Sequence, residues 1–136
     1  MAENMLVKEA LTNEMIDAGA ELIANLDHQG WPPAWAFWMF DPERNDWRLI
    51  LRPPATANEN DLESYQRIRN TLRATTTPLS LTDVSVRPDP RMLEALASGL
   101  PPGWEERGRR LKRTALKGVY IDDVYLYRRS QPASAT

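Results

Sequence analysis

Cysteine is absent from this chain of 136 residues, and histidine occurs once. Without cysteine there is no disulfide framework, no thiolate nucleophile, and no zinc or iron–sulfur site with cysteine ligands. A single histidine excludes a metal centre that takes several histidines from one chain. The six glycines form no Walker-type loop, and no serine lies in the pattern of a nucleophile elbow. We therefore expect no metal and no cofactor, and we favour a protein that is not an enzyme.

Long apolar runs are also missing from the sequence. The longest, residues 34–40, is far shorter than the roughly 20 residues that a membrane-spanning helix needs. The N-terminal stretch MAENMLVKEA lacks the basic segment and apolar core of a signal peptide. These absences predict a soluble, cytoplasmic protein that does not enter a membrane.

The length and composition of the chain predict one globular domain. A mass of 15.6 kDa is typical of a single domain, and 42% apolar with 26% charged residues is ordinary for a folded soluble protein. No linker is long enough to separate a second domain. We assign 1–129 to the domain and 130–136, composed of Ser, Gln, Pro, Ala and Thr, to a flexible tail.

Three segments carry apolar side chains at helical spacing, and each follows a residue type that caps helix N-termini. The first cap is a threonine, the second is an asparagine with a glutamate in capping-box spacing, and the third is an aspartate followed by proline. The predicted helices are 13–28 after Thr12, 61–74 after Asn60, and a short one between Asp89 and Gly99.

The remaining apolar segments predict strands. Residues 34–40 are apolar on both alternating faces, and a polar turn joins them to 47–52, which predicts an antiparallel hairpin. Residues 79–86 predict a third strand with a bulge at Thr82 and Asp83, and 119–127 a final one. An additional strand at 109–113, with a turn at 115–118, is optional.

The resulting order is α-β-β-α-β-α-(β)-β, and it predicts the α+β class. Two strands pair locally and the helices are interspersed, so we expect a two-layer sandwich. Its sheet is predicted to be largely antiparallel, with about four to five strands, and its three helices to cover one face.

Four of the five tryptophans lie between Trp31 and Trp47, along the predicted hairpin. If one alternating set of side chains enters the core, the other set faces away from it, and exposed aromatic faces mark interaction surfaces. The leading hypothesis is an accessory or interaction protein that binds a protein partner, or forms a homodimer, through this surface. The alternative is a core on both sides of the sheet. The candidate partner-binding residues are Trp35, Phe37, Met39, Trp47 and Trp104.

Charge is distributed unevenly along the chain, although the net charge is only −2. Residues 1–106 hold nine basic and 17 acidic side chains, whereas 107–136 hold eight basic and two acidic ones. A basic cluster of this kind neutralises phosphates, which makes nucleic-acid binding the second hypothesis. The alternative is a solvated edge strand whose charges prevent unwanted pairing. The candidate residues are Arg107, Arg109, Arg110, Lys112, Arg113 and Lys117.

A third hypothesis is a metal-dependent hydrolase or nuclease. Such enzymes use carboxylates that converge on a metal ion, often with a lysine nearby. Asp122 and Asp123 are adjacent in the last predicted strand, and Lys117 precedes them. The alternative is that two successive aspartates mark a bulge or a tight turn.

Four stretches of the chain, "VKEALTNEMIDAGAELIANLD", "AFWMFDPERNDWRLIL", "SYQRI" and "GVYIDDVYLYR", together resemble a family of small bacterial single-domain proteins. The resemblance covers most of the chain. It implies a bacterial origin and one domain. Because no activity is established for that family, the resemblance implies no mechanism.

Overall fold

A computed structural model describes residues 9–100 and 109–128. The elements follow the predicted order, and the optional strand before the last one is present. In chain order they are α1 (Asn13–His28), β1 (Trp35–Asp41), β2 (Asp46–Arg52), α2 (Asp61–Arg73), a 3₁₀ turn (Leu81–Asp83), β3 (Val84–Ser85), α3 (Pro90–Gly99), β4 (Arg109–Leu116) and β5 (Val119–Arg128).

The five strands form one sheet in the order β3-β2-β1-β5-β4. All neighbours pair antiparallel except β2 and β3, which are parallel. The α+β class, the largely antiparallel sheet and the three helices are thus confirmed. In the described part of the chain, no helix combines the length and the apolar character that crossing a membrane requires. The predicted tail, 130–136, lies outside the described residues.

Local capping interactions fix where the helices begin, as predicted. The Thr12 hydroxyl accepts a hydrogen bond from the Met15 amide at 3.1 Å. Asn60 and Glu63 bond each other's backbone amides, both at 2.9 Å, which completes a capping box. These side chains satisfy amides that the first helical turn leaves without a partner, so the sequence signature and the structure agree to within a residue.

The third predicted strand, 79–86, is mostly not a strand. Residues Leu81–Asp83 form a 3₁₀ turn, and only Val84–Ser85 pair with β2. The Asp83 carboxylate accepts a hydrogen bond from the Ser80 amide at 2.9 Å, and the Asp83 amide donates to the Ser80 carbonyl oxygen at 3.0 Å. Serine and aspartate form such local bonds readily, and here they replace the expected bulge.

Helices cover both faces of the sheet, which adds a third, shorter layer to the expected sandwich. One core cluster joins α1 and α2 to the side chains of one sheet face. The other joins α3 to the opposite face, since neighbouring residues of β1 enter different clusters. The first cluster includes Leu22, Leu26, Ile68, Leu72, Trp38, Phe40, Trp47, Leu49 and Leu51. The second includes Met92, Leu96, Trp35, Phe37, Ile50, Ile121, Val124 and Leu126.

Tyr127 links α1 to the centre of the sheet. Its hydroxyl donates to the Ile16 carbonyl oxygen at 2.6 Å and accepts from Trp38 Nε1 at 2.9 Å. Trp38 is fully buried, so its indole N–H has no access to water. The Tyr127 hydroxyl therefore satisfies a buried donor and a helical carbonyl at once.

Tyr127 should make the protein sensitive to alkaline pH. Burial of the phenol raises the pKa of Tyr127 above its ordinary value. Between that ordinary value, about 10, and the raised one, the unfolded chain loses the proton first, so the free energy of unfolding falls as pH rises above about 10. We expect Tyr127→Phe to be less stable at neutral pH but to lose less stability on alkalinisation. Urea unfolding at about pH 8 and about pH 11 measures the free energy of unfolding of both proteins. An equal decrease in the wild type and in Tyr127→Phe between the two pH values would contradict the prediction.

Candidate functional site

The aromatic hairpin predicted to bind a partner lies inside the protein. Trp35 and Phe37 are buried against α3, and Trp47 is buried on the side of α1 and α2. Met39 is partly buried in the α3-side cluster. The prediction of an exposed aromatic face is therefore corrected: helices on both faces cover it, and the alternative of a two-sided core is what the structure has. Trp104 lies outside the described residues.

The basic segment forms the outer strand of the sheet. Its residues Arg109–Leu116 are β4, which pairs with β5 alone. The pairing of β5 with β1 begins at Val124, opposite Met39, so in the described structure residues 119–123 pair with β4 alone. We call residues 112–122 the hairpin tip. It extends past the paired part of β1, and its underside rests on α3 through Ile121, which is 1% exposed.

The pleat of this hairpin is interrupted at Arg113. Leu111 and Leu116 are five residues apart on β4. Ile121 and Val124 are three apart on β5. Strict alternation would place the members of each pair on opposite faces, yet all four belong to or pack against the α3-side cluster. Arg113 has a φ of 47° and is missing from the β4–β5 register, so the alternation resets there.

Arg110 is a structural cation. Its Nε and Nη2 donate to the two carboxylate oxygens of Asp123, both at 2.9 Å. Asp123 is 1% exposed, and the guanidinium also lies 5.5 Å from the ring centroid of Trp47. The hydrogen bond to Asp123 raises the pKa of Arg110. Because its charge is already compensated, Arg110 is not available as a phosphate ligand.

Three other basic residues of the cluster are exposed to solvent. Lys112 and Arg113 lie on β4, and Lys117 lies in the turn with a φ of 49°. Among the residues that the structure describes, none is within ion-pairing distance of these three side chains. The hairpin tip therefore presents three positive charges that form no ion pair with the described residues, and it also carries the carboxylate of Asp122. Arg109 lies at the start of the same strand, and Arg107 is outside the described residues.

The residues of the hydrolase hypothesis do not converge. Asp123 is bound by Arg110, and it lies five residues from Gly118, or roughly 16 Å along a strand. The neighbouring Lys117 therefore does not reach it. Asp122, like Arg113, is missing from the β4–β5 register, so it lies where the alternation of the strand is interrupted. Such an irregularity was the alternative explanation for the two successive aspartates. Within the described segments, no three acidic or histidine side chains are arranged to hold a metal ion.

Tyr120 on the hairpin tip was not recognised from the sequence. It is 63% exposed and lies opposite Ala115 in the β4–β5 register. The two aspartates interrupt the alternation of apolar and polar residues over 119–127. The sequence therefore does not show which face of the strand Tyr120 lies on, and its exposure follows only from the pairing of β5 with β4. The small partner opposite it is the only local indication that the ring is uncovered.

A second polar region lies between the end of α1 and α2, around a cavity of about 410 Å³. Two pairs of its lining side chains bind each other, and Trp31 adds a bond to one of these pairs. Trp31 Nε1 donates to Glu59 at 2.5 Å, Arg67 contacts the same carboxylate at 3.4 Å, and Gln29 donates to Thr71 at 2.8 Å. These bonds hold the two helices and the intervening loop together, although Arg67 Nε is buried without a hydrogen-bond partner among the described residues.

Comparison of the chain with protein-family models, with curated proteins and with solved structures finds no significant match in any of the three. No related protein therefore supplies a function for any of these residues. The function must be inferred from the charges, burial and contacts of the chain itself.

Proposed function

We propose that this protein binds nucleic acid through the hairpin tip, with Lys112, Arg113 and Lys117 contacting phosphates. The observation that carries the proposal is that these three cations are exposed and have no ion-pair partner among the described residues. Basic side chains that neutralise phosphates release condensed counterions, which is the main source of sequence-independent affinity. No base specificity follows from such contacts.

The overall negative charge of the chain does not exclude this ligand. At physiological ionic strength the Debye length is about 8 Å, so charges on distant elements are largely screened from the hairpin tip. The net charge of −2 instead reduces long-range attraction of a polyanion. We therefore expect weak binding, with dissociation constants of about 10⁻⁴ to 10⁻⁶ M at physiological salt.

A protein strand is a less suitable ligand for the same edge. If two copies paired antiparallel about the centre of β4, Lys112 of one copy would face Arg113 of the other, and like charges directly opposite are destabilising. The positive φ of Arg113 also breaks the regular row of backbone groups that an added strand needs. The side chains of this edge, rather than its backbone, are therefore the binding groups. A nucleic-acid ligand also agrees with the cytoplasmic location expected from the sequence.

The salt dependence of oligonucleotide binding tests the proposal. The test variant is Lys112→Gln/Arg113→Gln/Lys117→Gln. The matched control is Arg44→Gln/Arg69→Gln/Arg73→Gln, which removes three exposed charges elsewhere. For the unmodified protein, three phosphate contacts predict a loss of about 20- to 40-fold in affinity between about 50 and 200 mM salt.

We expect the test variant to bind at least about tenfold more weakly at low salt, and its slope in log affinity against log salt to fall by about two to three. The control variant should keep most of the slope. Fluorescence anisotropy of a labelled oligonucleotide measures both quantities. The proposal would be rejected if the two variants lost the same amount of affinity, or if the affinity of the wild type did not change with salt concentration.

A further inference from the structure

Tyr120 is an unusual tyrosine in this protein. Tyr65, Tyr125 and Tyr127 are partly buried, and the hydroxyl of Tyr65 accepts a hydrogen bond from the Val86 amide at 3.1 Å. Tyr120 is 63% exposed, and among the described residues only Leu62 is a comparably exposed large apolar side chain. A single exposed ring needs no special explanation by itself. Tyr120 becomes a candidate ligand-binding residue because it lies on the same hairpin tip as the three exposed cations.

The ring lies within the basic surface of the hairpin tip. Tyr120 pairs with Ala115; Arg113 lies two residues before Ala115 on β4, and Lys117 lies two residues after it, in the turn to β5. Two residues of a strand span about 6.6 Å, so the backbones of Arg113 and Lys117 lie close to this pair, as does that of Asp122 on β5. Ala115 is exposed and too small to cover the ring from across the pair. An exposed aromatic ring on the same hairpin as exposed basic side chains is a combination that proteins use to hold single strands.

Stacking on Tyr120 distinguishes single-stranded from double-stranded ligands. In a duplex the faces of the bases are covered by their neighbours, so a side chain on a strand surface reaches only phosphates and groove edges. In a single strand the bases are free to leave their stack and lie on an aromatic ring. Cations alone would bind both forms, whereas the ring adds affinity for one of them.

We infer that the ligand of the hairpin tip is single-stranded nucleic acid, with one base stacked on the ring of Tyr120. This inference depends on the proposed function, and it names the substrate class of the same site. The ring accepts any base, because every base has a π-face, so the inference predicts little sequence preference. The sugar is not contacted by stacking, and RNA and DNA strands should both bind.

The test uses the full chain, a labelled oligothymidylate of about 16 nucleotides, an oligouridylate of the same length, and a mixed-sequence duplex. The variants are Tyr120→Ala, Tyr120→Phe, which keeps the ring, and Leu62→Ala, which removes an exposed apolar side chain on α2. Since Tyr120 is mostly exposed, all three variants should unfold at temperatures close to the wild type. Thermal unfolding checks this first.

We expect Tyr120→Ala to bind both single strands about tenfold more weakly, with an unchanged salt slope, because a neutral contact is lost. Tyr120→Phe and Leu62→Ala should bind as the wild type, and duplex affinity should not change in any variant. Equal losses for duplex and single strands, or no effect of Tyr120→Ala, would overturn the inference while leaving the phosphate contacts in place. A wild type that binds none of the three probes would instead refute the proposed function itself.

Discussion

Replacement of Arg110 by methionine should destabilise the protein by about 3 kcal/mol, because it leaves the buried Asp123 carboxylate without its bidentate partner. Asp123 is 1% exposed, and its two oxygens accept the two hydrogen bonds that Arg110 donates at 2.9 Å. Removing one member of a buried pair costs far more than the pair itself contributes, since a desolvated charge remains. Urea unfolding at neutral pH measures the loss.

Two comparison variants separate this effect from a general loss of charge. Arg87→Met breaks the ion pair of Arg87 with Asp61, whose side chains are 77% and 41% exposed, and it should destabilise the protein far less than Arg110→Met because water screens an exposed pair. Arg110→Met/Asp123→Leu replaces the whole pair by apolar groups and should recover much of the loss. If Arg110→Met were as stable as Arg87→Met, the ion pair would not hold the β4–β5 hairpin as described.

Replacement of Gly19 by alanine should also destabilise the protein, by about 2–3 kcal/mol, although alanine is the better helix former by about 1 kcal/mol. A Cβ at position 19 would overlap the Tyr127 hydroxyl and lie 3.1 Å from Trp38 Nε1. The hydroxyl cannot move away without breaking its bonds to the Ile16 carbonyl oxygen and to Trp38. Helix α1 must therefore shift away from the sheet.

The background variant Tyr127→Phe isolates the clash. It removes the atom that the new Cβ would meet, so Gly19→Ala should cost clearly less in Tyr127→Phe than in the wild type. Ala20→Gly, at an exposed position of the same helix, provides the reference for helix propensity and should cost about 1 kcal/mol. Additive effects of Gly19→Ala and Tyr127→Phe would show that the two residues do not contact each other in solution.

The helices were predictable from the sequence because their ends are determined locally. Thr12, Asn60 and Asp89 each bond amides within three residues along the chain, and the apolar spacing between the ends is periodic. Residues 79–86 were mispredicted for the same local reason. There Ser80 and Asp83 form a turn that competes with the strand alternation of the flanking leucines and valines.

The faces of the strands depend on contacts that the sequence does not encode locally. Alternation within 34–40 permitted either an exposed aromatic face or a two-sided core, and α3, which begins some fifty residues later, decides between them. Similarly, the reset at Arg113 becomes visible only through the register of β4 and β5. Patterns of period two specify a strand but not which elements cover it.

The candidate site was predictable in composition but not in detail. The basic cluster is evident from counting charges, and its interpretation as an edge strand was one of the alternatives. The sequence does not reveal that Arg110 forms an ion pair with Asp123. Nor does it reveal that Lys112, two residues further along, has no ion-pair partner among the described residues. Lys112 is the residue paired with Asp123 in the β4–β5 register, yet the two hydrogen bonds to that carboxylate come from Arg110, and the sequence pattern does not specify this choice.

The central claim is that nucleic acid binds at the hairpin tip, and the most direct measurement is a nuclear magnetic resonance titration of the isotope-labelled protein with oligothymidylate at low salt. We predict that shifts of the amide resonances concentrate within residues 110–123 and reverse when salt is added. Shifts centred on the polar cavity between α1 and α2, or no shifts while the protein remains folded, would contradict the claim.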